Sequence, residues 1–199
     1  MPAALPASRP RASRSALISA VQATHSGYDF AGGLTIVGIR GYFRDTLGAV
    51  GRNDRAMYDD ALFLVSDDAF VAFNANTDPS GYRKGKGFGA GKGMASLNPG
   101  RWPVYRFDKH NGKYDAVCQR AGPVTVTRDG DPPYAETGMF GINIHRGGVN
   151  GTSSEGCQTI PPDQWPAFIA TAQDQAKRLY GADWKGETLT YILLEGPIA

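Results

Sequence analysis

The sequence predicts a β-rich α+β domain with one packed C-terminal helix. Three observations carry this expectation. The chain holds 26 glycines and 13 prolines, too many chain breakers for a helical bundle. Its apolar residues gather in short runs rich in β-branched and aromatic side chains, bounded by turn residues. Only one stretch, 161–181, keeps an apolar period near that of a helix over several turns. Hydrophobic residues make up 41 % of the 199, ordinary for a globular chain with a real core. The expected organisation is an N-terminal tail and short helix over 1–30 and a single domain over 31–199.

The segment MPAALPASRPRASR reads as a disordered Pro/Ala/Arg tail. It has the outline of a basic leader, but the apolar stretch after it is broken by Ser19 and Gln22, so no clear signal peptide is expected. A short helix follows over Ser15–Thr24, capped by Ser13 or Ser15. Leu34–Phe43 is expected as a strand. Ala61–Val65 and Phe70–Phe73 flank the turn residues Ser66-Asp67-Asp68 and read as a hairpin. A glycine-rich loop spans 76–100. WPVYRF and AGPVTVTRDG give two further strands, and GMFGINIH is expected as a strand running into His145. The helix has Pro161 and Pro162 near its start, Gly181 past its end, and Trp165, Phe168, Ile169, Ala172, Ala176 and Leu179 at helical spacing. TLTYILLEG closes the chain as a strand.

Several function classes are disfavoured. A net charge of +2 makes no case for nucleic acid. No apolar run approaches the roughly 20 residues of a membrane helix. Two cysteines make no disulfide framework, and the three histidines are too scattered for a metal site, so neither metal nor cofactor is expected. Cys118, in DAVCQRA, reads as a small buried hydrophobe. GKGFGAGKGM is no phosphate-binding loop, because Lys86 stands where the first glycine belongs and Gly93 where the hydroxyl belongs. It reads as a flap whose Arg83, Lys84, Lys86 and Lys92 form a basic patch able to attract a carboxylate.

Chemistry concentrates in GINIHRGGVNGTSSEGCQTIPP, residues 141–162. His145 and Cys157 stand at the two ends of a polar, glycine-rich loop. A thiol reacts as thiolate, and an adjacent imidazole can take its proton, so Cys157 is the candidate nucleophile and His145 its base. Gly147, Gly148, Gly151 and Gly156 allow tight turns and close approach of backbone to substrate. Backbone N–H groups at Gly156 and Cys157 are candidate oxyanion donors. A helix starting at Pro161-Pro162 would bring its positive end near the thiolate. Asn143, two residues before His145, falls on the same strand face and is a candidate for lining the site. Spacing alone leaves open that the two residues are unrelated.

His145-Arg146-Gly147 followed by Ser154-Glu155-Gly156-Cys157 resembles the signature of the L,D-transpeptidase (YkuD-type) catalytic domain. GMASLNPGRWPVYRF is similar to a strand region of that family, and the similarity spans roughly residues 60 to 196. Glu155 stands where the family has a second His, and Gln158-Thr159 replace the residues that usually follow the Cys. The resemblance implies a mixed β-sandwich or open barrel with one packed helix. It implies a cysteine acyl-transferase or hydrolase acting on peptidoglycan stem peptides, through a Cys157 acyl-enzyme resolved by an amine or by water. It assigns the backbone carbonyl at Arg146 to orienting His145. Around the substrate it puts Asn143, Arg146, Ser154 and Glu155, with the Arg146 side chain or the basic loop at Lys92 supplying a cation. A wall-acting enzyme without a clear leader fits a phage- or secretion-delivered lysin reaching the periplasm or wall, or a cytoplasmic carboxypeptidase. Two other readings stand beside it: a catalytically inactive wall-binding or virion structural module on the same fold, and an unrelated thiol enzyme such as a cysteine peptidase.

Overall fold

A computed structural model describes residues 2–85 and 91–198; Lys86 of the expected basic patch lies outside them. Eight strands form one large sheet: β1 (Thr35–Arg40), β2 (Asp60–Val65), β3 (Phe70–Ala75), β5 (Gly100–His110), β6 (Tyr114–Gln119), β9 (Ile144–Arg146), β10 (Gln158–Ile160) and β11 (Leu189–Glu195). Their order is β10-β9-β6-β5-β11-β1-β2-β3. The two edges nearly meet. Just beyond β3, Asn76 N–H donates to the carbonyl of Thr159 in β10, and Thr159 N–H returns the bond, both at 2.8 Å. The sheet thereby curls into a barrel-like form. A second sheet of three strands, β4 (Ala95–Leu97), β7 (Val124–Arg128) and β8 (Tyr134–Gly138), packs on it. The helices are α1 (Arg14–Thr24) and α2 (Trp165–Tyr180).

The central strands β1, β2 and β11 read as continuous apolar runs because both of their faces are covered. One face, with Ile36, Leu62, Leu64, Tyr191 and Leu193, joins the main core with the small sheet and α2. The other, with Val37, Ile39, Phe63, Ile192 and Leu194, is covered by Leu17 and Val21 of α1 and by Phe30. Ser13 caps α1, its side chain accepting from Ala16 N–H. In α2 the buried stripe Trp165, Phe168, Ala172 and Ala176 follows the expected spacing, and Phe168 meets Phe73 edge-on at 5.4 Å. No helix among the described residues is long and apolar enough to cross a membrane.

Three expectations are corrected in detail. The strand expected over Leu34–Phe43 stops at Arg40, because Gly41 at φ 67° turns the chain away. The strand expected through GMFGINIH is interrupted between Gly138 and Ile144: the side-chain Oε1 of Gln119 takes the N–H groups of Phe140 and Ile142, each at 3.1 Å. The N-terminal segment does not stand free. Ala3 N–H bonds Val149 O, Tyr58 N–H bonds Ala4 O, both at 2.9 Å, and Arg9 lies over the Phe73 ring.

A buried polar knot ties the ends of β1, β2 and β3 together. The Arg40 guanidinium donates to the carbonyls of Thr77 and Leu97, and Asp60 accepts from the N–H groups of Gly41 and Thr77. Asp59 beside it is fully buried and its Oδ1 has no partner among the described residues. Burial pushes the Asp59 carboxyl up from 3.8 to about 6; backbone N–H groups oppose this, and the charges of Asp78 and Asp54 add to it. The folded state therefore binds this proton more tightly than the unfolded chain. The associated stability is present below pH 3.8 and is lost as pH rises through about 6. Asp59→Asn imitates the protonated acid. Its Tm relative to wild type should climb between pH 4 and about 6; a difference that ignores pH would put the proton elsewhere.

Candidate active site

β9 and β10 pair in parallel, with His145 opposite Thr159 and Ile144 opposite Gln158. Cys157, one residue before β10, thus stands beside Asn143. The Asn143 N–H donates to Cys157 Sγ at 3.4 Å, the thiol donates to Gly141 O at 3.3 Å, and Gln158 N–H donates to Asn143 O at 2.8 Å. A cavity of about 530 Å³ opens over this seam and is lined by both Cys157 and His145.

The turn before Cys157 is tightly fixed. Ser154 Oγ accepts from Gly156 N–H at 2.9 Å and donates to Cys157 O at 2.7 Å. Gly156 has φ 149°, and a Cβ there would fall 2.3 Å from the Ala95 carbonyl. Only glycine lets the loop lie this close to β4. The Gly156 N–H is therefore not a free oxyanion donor, against expectation, whereas the Cys157 N–H has no partner among the described residues. Gly147 likewise serves packing: its N–H bonds Ile160 O at 2.8 Å and a Cβ would fall 2.2 Å from the Tyr58 hydroxyl.

His145 is 4 % exposed, and its Nδ1 lies 2.8 Å from the Arg146 carbonyl. That carbonyl only accepts, so Nδ1 carries the proton and Nε2 is the free acceptor. Tyr114 Oη stands 3.3 Å from the same Nδ1. No hydrogen bond joins His145 to Cys157. Burial, and next the neighbouring His110, push His145 down to about 4 against the pull of the Arg146 carbonyl. Burial pushes the Cys157 thiol up to about 11, against the pull of the Asn143 N–H. Both directions favour a neutral thiol beside a neutral imidazole at rest. The expected helix end is also displaced: α2 begins at Trp165, with β10 and a turn between it and Cys157.

Of the other candidates, Asn143, Gly156 and Glu155 line the cavity. The Asn143 side chain is engaged, accepting from Gln119 N–H at 3.0 Å and meeting His110 Nδ1 at 3.1 Å. Glu155 sits exposed on the rim, 3.3 Å from Arg83. Ser154 and Arg146 lie outside the wall, the Arg146 guanidinium resting over the Tyr114 ring. Lys92 is drawn to Glu136 at 2.9 Å rather than to the cavity, and Lys84 to Asp131 at 3.0 Å. Among the described residues the cations at the cavity are Arg83, Lys109, Arg120 and Arg128, paired with Glu155, Asp115, Asp108 and Glu136 respectively. Cys118 is fully buried in β6, and both cysteines are free. Among the described residues no group of three or more His, Cys, Asp or Glu is arranged to hold a metal ion.

Sequence reasoning missed His110 and Gln119. His110 stacks on His145, and Gln119 organises the loop that carries Gly141 to the thiol. The pointer to His110 was Asn111-Gly112, both at positive φ: an Asn-Gly turn closes a hairpin and so puts His110 at the end of β5. No family model matches the chain, and neither does any curated protein or solved structure.

Gly156→Ala should push the loop off β4 and uncover the sulfur. The measurable result is faster modification of Cys157 by a neutral-pH thiol reagent, with Cys118 still protected; an unchanged rate would mean the loop absorbs the methyl group.

Proposed function

We propose that this protein is a cysteine acyl-transferase or hydrolase of the L,D-transpeptidase type, acting on peptidoglycan stem peptides with Cys157 as nucleophile and His145 as base. The observation that carries the reading is the parallel β9–β10 pairing, which brings a thiol and an imidazole of fixed tautomer to one cavity. The four cations at the cavity each hold a carboxylate of the chain, and a substrate carboxylate would take the place of one of these partners. Such a substrate puts the site of action where stem peptides occur: the wall, the periplasm, or the cytoplasm that receives recycled fragments.

In this mechanism His145 Nε2 takes the Cys157 proton as Sγ attacks the peptide carbonyl carbon. The developing oxyanion is within the province of the Cys157 N–H, which has no partner among the described residues. Collapse of the tetrahedral intermediate breaks the C–N bond, and the imidazolium returns its proton to the leaving amine. The thioester is then resolved by an acceptor amine, giving transpeptidation, or by water, giving carboxypeptidase or endopeptidase action. Because the resting pair is neutral, proton transfer accompanies attack rather than preceding it. The raised thiol and the missing Cys–His hydrogen bond favour a second reading, a catalytically inactive wall-binding or virion module on this fold.

Muropeptides incubated with wild type and Cys157→Ala, followed by mass spectrometry, separate the two. Loss of a terminal residue, a cut cross-link or a new cross-link in the wild type alone supports the enzyme; no change in either supports the binding module. His145→Ala should lower kcat by roughly 10²- to 10⁴-fold with the fold intact. The base must be neutral to work, so the acid limb of kcat/KM should fall near pH 4, far below that of an ordinary histidine. A limb near 6.5 would show that His145 is not held in its buried state.

A further inference from the structure

The cavity holds a second imidazole that this chemistry leaves idle. His110, the last residue of β5, stacks on His145 with ring centroids 4.0 Å apart and planes 21° apart. It lines the same cavity as Cys157. Its orientation is fixed from below. The Oδ1 of Asn143 accepts from Gln119 N–H, so the Asn143 amide must turn its NH₂ to His110 Nδ1, 3.1 Å away. A neutral His110 therefore keeps its proton on Nε2, which calls for the Asn111 amide, 3.1 Å away, to turn its oxygen rather than its NH₂ to that atom, while His145 keeps its proton on Nδ1. The same Asn143 donates its backbone N–H to the thiol. One residue thus holds the second imidazole through its side chain and the nucleophile through its backbone.

We infer that His110 is a positioning residue of this site: its stacked ring fixes the plane of His145 and, because two cations are not tolerated at that separation, keeps His145 the uncharged acceptor for the Cys157 proton. This rests on the reading of Cys157 and His145 as the reacting pair. Burial first, then the charges of Arg120 and Lys113, push His110 itself down, so its charge acts on His145 only in acid, once His110 is protonated. Arg120, Lys109 and Arg128 line the cavity paired with Asp108, Asp115 and Glu136, and Arg146 lies over Tyr114, whose ring leans on His110 at 5.6 Å. Tyr114 and Cys157 are both raised and so stay neutral at pH 7. The one acid at the cavity wall, Glu155, faces Arg83. No carboxylate among the described residues is hydrogen-bonded to either ring.

The test compares wild type, His110→Phe and His110→Ala. His145 is titrated by NMR through its ring Cε1–H signal, and turnover of muropeptides is followed against pH. Phenylalanine keeps a flat ring but neither the charge nor the hydrogen bond. In His110→Phe the His145 midpoint should rise by roughly one pH unit, and the acid limb of kcat/KM should rise with it. His110→Ala should show the same rise and, lacking the ring, a kcat at pH 7 lower by roughly 10- to 100-fold with KM little changed. A His145 midpoint unmoved in both variants, or a wild-type kcat in His110→Ala, overturns the inference. Failure of the wild type to turn over any muropeptide counts against the proposed reaction instead, and the NMR titration still decides the part played by His110.

Discussion

The pair of backbone hydrogen bonds between Asn76 and Thr159 is the constraint on which the site depends. β10 is only three residues long and borrows its place from two neighbours, β9 on one side and the chain beyond β3 on the other. With one edge alone, so short a strand would gain too little from its ladder to offset its ordering. Held on both edges, it fixes the residue before it. Cys157 takes its position from barrel closure together with the Ser154–Gly156 turn that bears it. The polar knot of Arg40, Asp60 and Thr77 fixes the same strand end from behind, so part of the chain's buried charge supports the wall of the cavity.

Burial then decides the electrostatics. The seam that positions the thiol and the imidazole buries the imidazole and leaves Cys157 only partly exposed, and in that setting each group prefers its uncharged form. Hydrogen bonds from Asn143 and to the Arg146 carbonyl pull the other way without prevailing. The arrangement stores no charge separation at rest. Its contribution is geometric: backbone groups that cannot rotate away set the tautomer and hold the sulfur, and the stacked His110 ring sets the plane.

Legibility in the sequence followed the range of the interactions. The β2–β3 hairpin, β11 and α2 were readable because their apolar runs are long, locally bounded and buried on both faces or along one helical stripe. The break after Gly138 was not readable, because its cause is the amide of Gln119, some twenty residues earlier in the chain. Within the site, His145 and Cys157 share one loop and were found from spacing. His110 comes from another hairpin, and only the fold brings it to His145. The basic patch reaches the cavity in part, through Arg83. Sequence neighbours Lys84 and Lys92 turn to Asp131 and Glu136, while Arg120 and Arg128 arrive at the cavity from β6–β7.

The raised thiol has a consequence for chemical durability. With its titration pushed up to about 11 by burial, Cys157 is held as the thiol at pH 7. Peroxides and disulfides attack through the thiolate, so the resting protein is a slow target for sulfenic acid formation and mixed-disulfide exchange. A thiol held protonated in this way can persist in oxidising surroundings where a permanently ionised cysteine would be lost.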